Sequence, residues 1–180
     1  MKFLSSLSLS SQSGYPIGGK AAQLQKLGEM GFEVPKWGVI PATELINRLP
    51  FGYEELPPTE LLGYIEHADI PETVLAAIGS YFQESIFLAV RSSAIGEDGE
   101  NHSFAGQFES YLYVPKEEVD VYIKKVWASA FSDRVRSYSE HRGTGSAQPI
   151  AVIIQAMVPA EVSGVAFGIN PLSGNRQEQV

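Results

Sequence analysis

The sequence predicts an α+β fold, and three observations carry that prediction. Apolar residues recur at helical spacing in several stretches that end at glycine or proline. Ile86–Val90 and Ile150–Val158 are near-continuous apolar runs of the buried-strand kind, and Gln107–Val114 alternates as a half-buried strand does. These later strands lie close together in the chain, without the regular strand–helix alternation of a doubly wound parallel sheet. A mixed or antiparallel sheet with flanking helices is therefore expected. At 180 residues and 44% hydrophobic content the chain can bury one sizeable core.

Taken in order, Phe3–Ser11 holds four strongly apolar residues among five serines, with no A-x-A-like cleavage site after it. It reads as an edge strand or lead-in, and residues 1–17 are assigned to that lead-in. A cytoplasmic location is expected. Ala21–Met30 carries apolar residues at 21, 24, 27 and 30, with Gly28 and Gly31 near its end, so a short helix stopping at glycine is expected. Trp37–Ile40, between Pro35 and Pro41, reads as a strand. Pro50–Pro58 is turn-rich.

Two helices should follow, Thr59–Ala68 capped by Thr59 and Pro71–Glu84 with Pro71 in its first turn. After Ile86–Val90, Ser92–Ser103 is a polar loop with Gly96 and Gly99. Glu117 to about His141 reads as one long helix or two abutting ones, and Gly143–Pro149 breaks it. Ile150–Val158 and Val162–Ile169 are then two strands joined by Pro159-Ala160-Glu161.

Composition narrows the chemistry. Cysteine is absent, which removes disulfides and thiolate chemistry together. The three histidines, His67, His102 and His141, have no HxH or HExxH spacing, which argues against a histidine-built zinc site. A formal net charge of −8 makes a nucleic-acid backbone a poor partner. No apolar run approaches the ~20 residues of a membrane helix. A small anionic ligand stays open wherever a few basic residues converge.

Two stretches fit such a ligand. Gly18-Gly19-Lys20 opens a helix: glycines let backbone approach an anion, a helix start offers free amides, and lysine adds a point charge. From Gly14 the stretch even matches G-x-x-x-x-G-K, but Ala21 stands where a P-loop needs a hydroxyl for magnesium. The alternative is a glycine turn before a surface helix. In Ala89-Val90-Arg91-Ser92-Ser93, Arg91 ends an apolar strand, and arginine is almost never fully buried unless paired. Its partner is either a structural carboxylate or a ligand phosphate.

Other positions carry two readings each. Gly106 and Ser110 either meet a ligand or belong to a strand bulge. Gln155 either reads a purine edge or caps its strand. Glu161 either holds ribose hydroxyls or is a solvated turn residue. Trp127 and Phe131 share a helix face as ordinary core, while Arg134 and Arg136 fit surface pairs better than substrate contacts.

Five blocks occur in order: GGKAAQLQKLGEMGFEVPKWGVI, LAVRSSAIGED, SFAGQFESYLYV, VWASAFSDRVRSY and AVIIQAMVPAEVSGVAFGINPLSG. Together they resemble the N-terminal nucleotide-binding region of the phosphoenolpyruvate synthase and pyruvate phosphate dikinase family, a region shared by rifampin phosphotransferases. The resemblance runs from about Gly18 to Gly174. It implies that residues 18–180 are the N-terminal portion of an ATP-grasp domain, in which ATP lies between two α+β lobes. It implies phosphate contacts from Lys20 and Arg91, with Arg91 catalytic, nucleotide contacts from Gly106 and Ser110, and Gln155 near the adenine. The loop from Ser93 to Ser103 would be the lid.

The family chemistry is a relay: ATP phosphorylates a histidine on a separate downstream domain, which delivers phosphate to pyruvate or another acceptor. None of the three histidines here stands in a matching context. The family's acidic Mg2+ ligands fall in a later segment, so Mg2+ is expected to be bound beyond this chain. The chain alone is expected to bind nucleotide weakly at best and not turn over. A non-catalytic module that kept the fold is the alternative, supported by the acidic lid Gly96–His102.

Overall fold

The structure is a computed structural model that describes residues 1–9, 14–94, 98–99, 102–103, 108–132, 135, 149–167, 169–170 and 173–175. In chain order the elements are β1 (Leu4–Ser5), α1 (Gly18–Glu29), β2 (Trp37–Ile40), α2 (Ala42–Ile46), α3 (Pro58–Glu66) and α4 (Glu72–Tyr81). There follow β3 (Phe87–Ser93), β4 (Asp98–Gly99), β5 (His102–Ser103), β6 (Ser110–Pro115), α5 (Val119–Ser129) and β7 (Ala151–Ala156). The expected α+β class is correct: five strands form one antiparallel sheet in the order β1-β2-β7-β3-β6. A two-residue hairpin, β4 with β5, stands apart from it.

Helices cover both faces of this sheet. On one face α1 buries Ala21 against Trp37, Val39, Ala151 and Ile153. On the other, α3, α4 and α5 bring Ile65, Ile78, Ile123 and Trp127 onto Leu88, Val90, Val152 and Ile154. The central strand β7 is thus buried on both sides from Ala151 to Gln155. Double coverage explains why the β3 and β7 segments read as continuous apolar runs rather than alternating ones. Among the described residues no helix is long and apolar enough to cross a membrane.

The expected glycine stop of α1 takes a specific form. The Gly31 amide donates to the Gly28 carbonyl and the Phe32 amide to the Leu27 carbonyl, both at 3.0 Å. Gly31 has φ +84°, so this is a Schellman end whose left-handed residue favours glycine. A Cβ at Gly31 meets nothing within 4 Å. Gly31→Ala should therefore cost only the conformational penalty, about 1 kcal/mol, read as a lower urea midpoint with an unchanged slope.

Several boundaries differ from expectation. Helix α3 starts at Pro58 with Pro57 before it, and no side-chain cap is made, so Thr59 does not cap it. Proline lacks the amide that a cap would satisfy, which makes it a natural first residue. Pro71 likewise flanks α4 rather than entering it, and α4 ends at Tyr81, short of Glu84. Helix α2 was not foreseen because five residues are too few to show a period. Strand β3 runs through Ser92 and Ser93, which the sequence places in a loop; both are fully buried.

Helix α5 begins at Val119, after a 3-10 turn at Lys116–Glu118, and ends at Ser129. The expected continuation to His141 falls largely outside the described residues. The strand expected at Val162–Ile169 is not formed among its described residues. Pairing directly beside β7, the strand just before it, is closed to this segment, because β2 and β3 already occupy both sides of β7.

Candidate functional site

The first turn of α1 is fastened to the end of β3. The Gly19 amide donates to the Ala94 carbonyl at 2.9 Å, and the Ala21 amide donates to the Ser93 hydroxyl at 3.1 Å. Gly18 sits at φ +77° against the same residue, where a Cβ would collide with the Ser93 carbonyl and hydroxyl. The two glycines therefore serve close helix–strand docking. This corrects the expectation that the helix start offers free amides at these positions. The docking sets the turn that carries half-buried Lys20 beside the end of β3.

Arg91 lies two residues before Ser93 and so on the same face of the sheet. It is half-buried, within β3 rather than at its end. Its Nη1 donates to Gln155 Oε1 at 3.1 Å. Gln155 is 7% exposed and stands opposite Trp37 on β2 and Ala89 on β3. Among the described residues no carboxylate pairs with Arg91; its partner there is a neutral amide, which does not compensate the guanidinium charge and takes one of its five donors.

Ser110 begins β6 directly opposite Arg91 and is exposed. The turn bearing Lys20, together with Arg91, Ser110 and Gln155, thus comes to one face of the sheet. Glu161 does not join them by any hydrogen bond or ion pair among the described residues; it is exposed beyond the end of β7. Gly106, the lid residues 95–97, 100 and 101, and Arg134 and Arg136 lie outside the described residues.

Sequence reasoning missed the apolar part of this face. Phe87 and Tyr113 form an edge-on aromatic pair, centroids 6.0 Å apart, and both are partly exposed. Tyr113 has φ +56°, and the register of β6 against β3 shifts between Leu88 and Val90. A bulge therefore exists at Leu112–Tyr113 rather than at Ser110, which pairs with Arg91 in register. No local pattern announces it, because a bulge is defined only against its partner strand. Tyr111, with its ring against Tyr122, has its phenol pushed above the ordinary tyrosine range, first by burial, then by the Glu109 carboxylate and Tyr122.

A separate depression, lined by Arg48, Glu60, Tyr64, His67 and Asp69, lies beside α3. Its arginine already donates to the Glu44 and Asp69 carbonyls. Among the described residues no group of three or more His, Cys, Asp or Glu could hold a metal ion.

Residues 59–180 match the family described as pyruvate phosphate dikinase, AMP/ATP-binding domain. Arg91, Gly106, Ser110, Gln155 and Glu161 fall within that segment, and Lys20 precedes it. The chain is 36% identical over 168 residues to the prodigiosin synthesizing transferase PigC of Serratia marcescens, covering 88% of this chain and 19% of the relative. It is 32% identical over 210 residues to a probable phosphoenolpyruvate synthase of Methanocaldococcus jannaschii, covering 100% and 18%. It is 39% identical over 118 residues to a rifampicin phosphotransferase of Bacillus subtilis, covering 63% and 14%. The chain therefore spans about a fifth or less of the length of these curated relatives.

Proposed function

Because the chain belongs to the pyruvate phosphate dikinase AMP/ATP-binding domain family, we propose that it is the ATP-binding part of a phosphotransferase, with Lys20 and Arg91 holding the phosphates. The observation that carries this reading is the Arg91 guanidinium, half-buried on the α1 face, whose partner among the described residues is a neutral amide. A desolvated, uncompensated cation attracts a phosphate far more strongly than an exposed one. Phosphoryl transfer in turn depends on cations positioned against the charge of the moving group.

In this reading the sheet and its helices are the first lobe of an ATP-grasp clamp, and residues 1–17 are its lead-in. Ser110 and the backbone at Gly106 add contacts to the phosphates, and Glu161 reaches the ribose. The aromatic pair Phe87–Tyr113 continues the same face away from the charge. The parent reaction passes phosphate from ATP through a histidine of a separate domain to an acceptor. Pyruvate is the proposed acceptor, and an antibiotic hydroxyl is the alternative that the rifampicin phosphotransferase relative supports. Mg2+ would be held by other parts of the protein.

Isothermal titration with ATP tests the nucleotide assignment. Lys20→Met should weaken binding about tenfold, the worth of one charge-assisted contact, and should flatten its dependence on salt. Binding unchanged in both Lys20→Met and Arg91→Ala would remove these residues from the site.

A further inference from the structure

We infer that Gln155 is a positioning residue for Arg91, and that its neutrality keeps the arginine charge available to a polyphosphate. The inference rests on the nucleotide reading above and changes one part of it. The Gln155 side-chain oxygen accepts a hydrogen bond from Arg91 Nη1 at 3.1 Å, which turns the carboxamide toward the guanidinium. Gln155 is 7% exposed on the central strand, so its backbone is held from both sides by Trp37 on β2 and Ala89 on β3. A side chain rooted there is a fixed acceptor.

The choice of acceptor has an electrostatic consequence. A glutamate at this position would also accept from Arg91 and would bind it more tightly. It would then cancel the cation that the phosphates need. A glutamine orients the guanidinium through one N–H and leaves its full charge and remaining donors for an anion. Alignment is separated from neutralisation.

The test measures ATP and inorganic tripolyphosphate binding by isothermal titration, with thermal melts, for the unaltered chain, Gln155→Glu and Gln155→Met. Gln155→Glu is nearly isosteric and should keep or raise the melting temperature. It should weaken both ligands by about tenfold or more, because it adds a compensating charge beside the guanidinium. Gln155→Met keeps the charge and loses the acceptor, so it should weaken both ligands less while lowering the melting temperature. A merely structural glutamine would not separate the two readouts in this direction.

If Gln155→Glu weakens ATP but leaves tripolyphosphate unchanged, the residue reads the base and the inference is overturned. If both ligands bind Gln155→Glu as well as the unaltered chain, it is overturned as well. If the unaltered chain binds neither ligand, the nucleotide reading itself fails and takes this inference with it.

Discussion

Replacing Arg91 by methionine should weaken ATP binding about 10- to 100-fold, the equivalent of the roughly 1.5–3 kcal/mol that hydrogen bonds to a charged group contribute. The same substitution strands the Gln155 oxygen in a buried position, at a stability cost of about 1–3 kcal/mol. Titration with ATP and a denaturant series on the same preparation separate the two effects. Arg91→Lys should restore only part of the binding. An ammonium has no planar fork with which to meet Gln155 and a phosphate at once. Full affinity in Arg91→Met would show that the guanidinium faces something other than the ligand.

The second large effect is expected at Gly18. Alanine there must adopt φ +77° and place its Cβ into the Ser93 carbonyl and hydroxyl. A left-handed non-glycine residue and an overpacked contact together cost roughly 2–5 kcal/mol, measured as a shift in the urea midpoint. The backbone cannot yield cheaply, because Gly19 and Ala21 are hydrogen-bonded to Ala94 and Ser93 beside it. Displacing the turn moves Lys20 from the end of β3, so ATP affinity should fall even where the chain stays folded. A Gly18→Ala chain as stable as the original would mean that this helix–strand docking is not tight.

These two residues show how the site is built. Lys20 and Arg91 are 71 positions apart in the chain, and β3 brings them to one region. Arg91 belongs to the strand, and Ser93, two residues on, anchors the helix that carries Lys20. The GGK motif was legible as a glycine-rich helix start. Its amides at Gly19 and Ala21 are not free as expected, because free amides and amides bonded to a neighbouring strand look identical in one dimension.

Elements with a strong local signature were legible throughout. The apolar spacing from Ala21 to Met30 gave away α1, and Gly31 its end. Strand β2 spans Trp37–Ile40, the residues its pattern predicts. The apolar runs near 88 and 153 located the two central strands. Where the local signature was short or ambiguous, expectation failed: α2 has five residues, and Val162–Ile169 alternates without forming a strand among its described residues. Ser92 and Ser93 looked like loop residues because hydroxyls are common in loops, yet both are buried in β3.

By itself, then, the sequence determined the class of fold, the positions of most helices and central strands, and the basic residues from which a phosphate site could be made. Those features depend on periodicity and turn chemistry within a few residues of chain. The tertiary structure alone decided that β7, last in sequence, lies between β2 and β3. It also decided that Arg91 is held by a glutamine 64 residues away and that Gly18 is needed for contact with Ser93. Strand order and side-chain pairing are set by burying both faces of the sheet and satisfying polar groups across it. No local pattern encodes which distant segment will supply the partner.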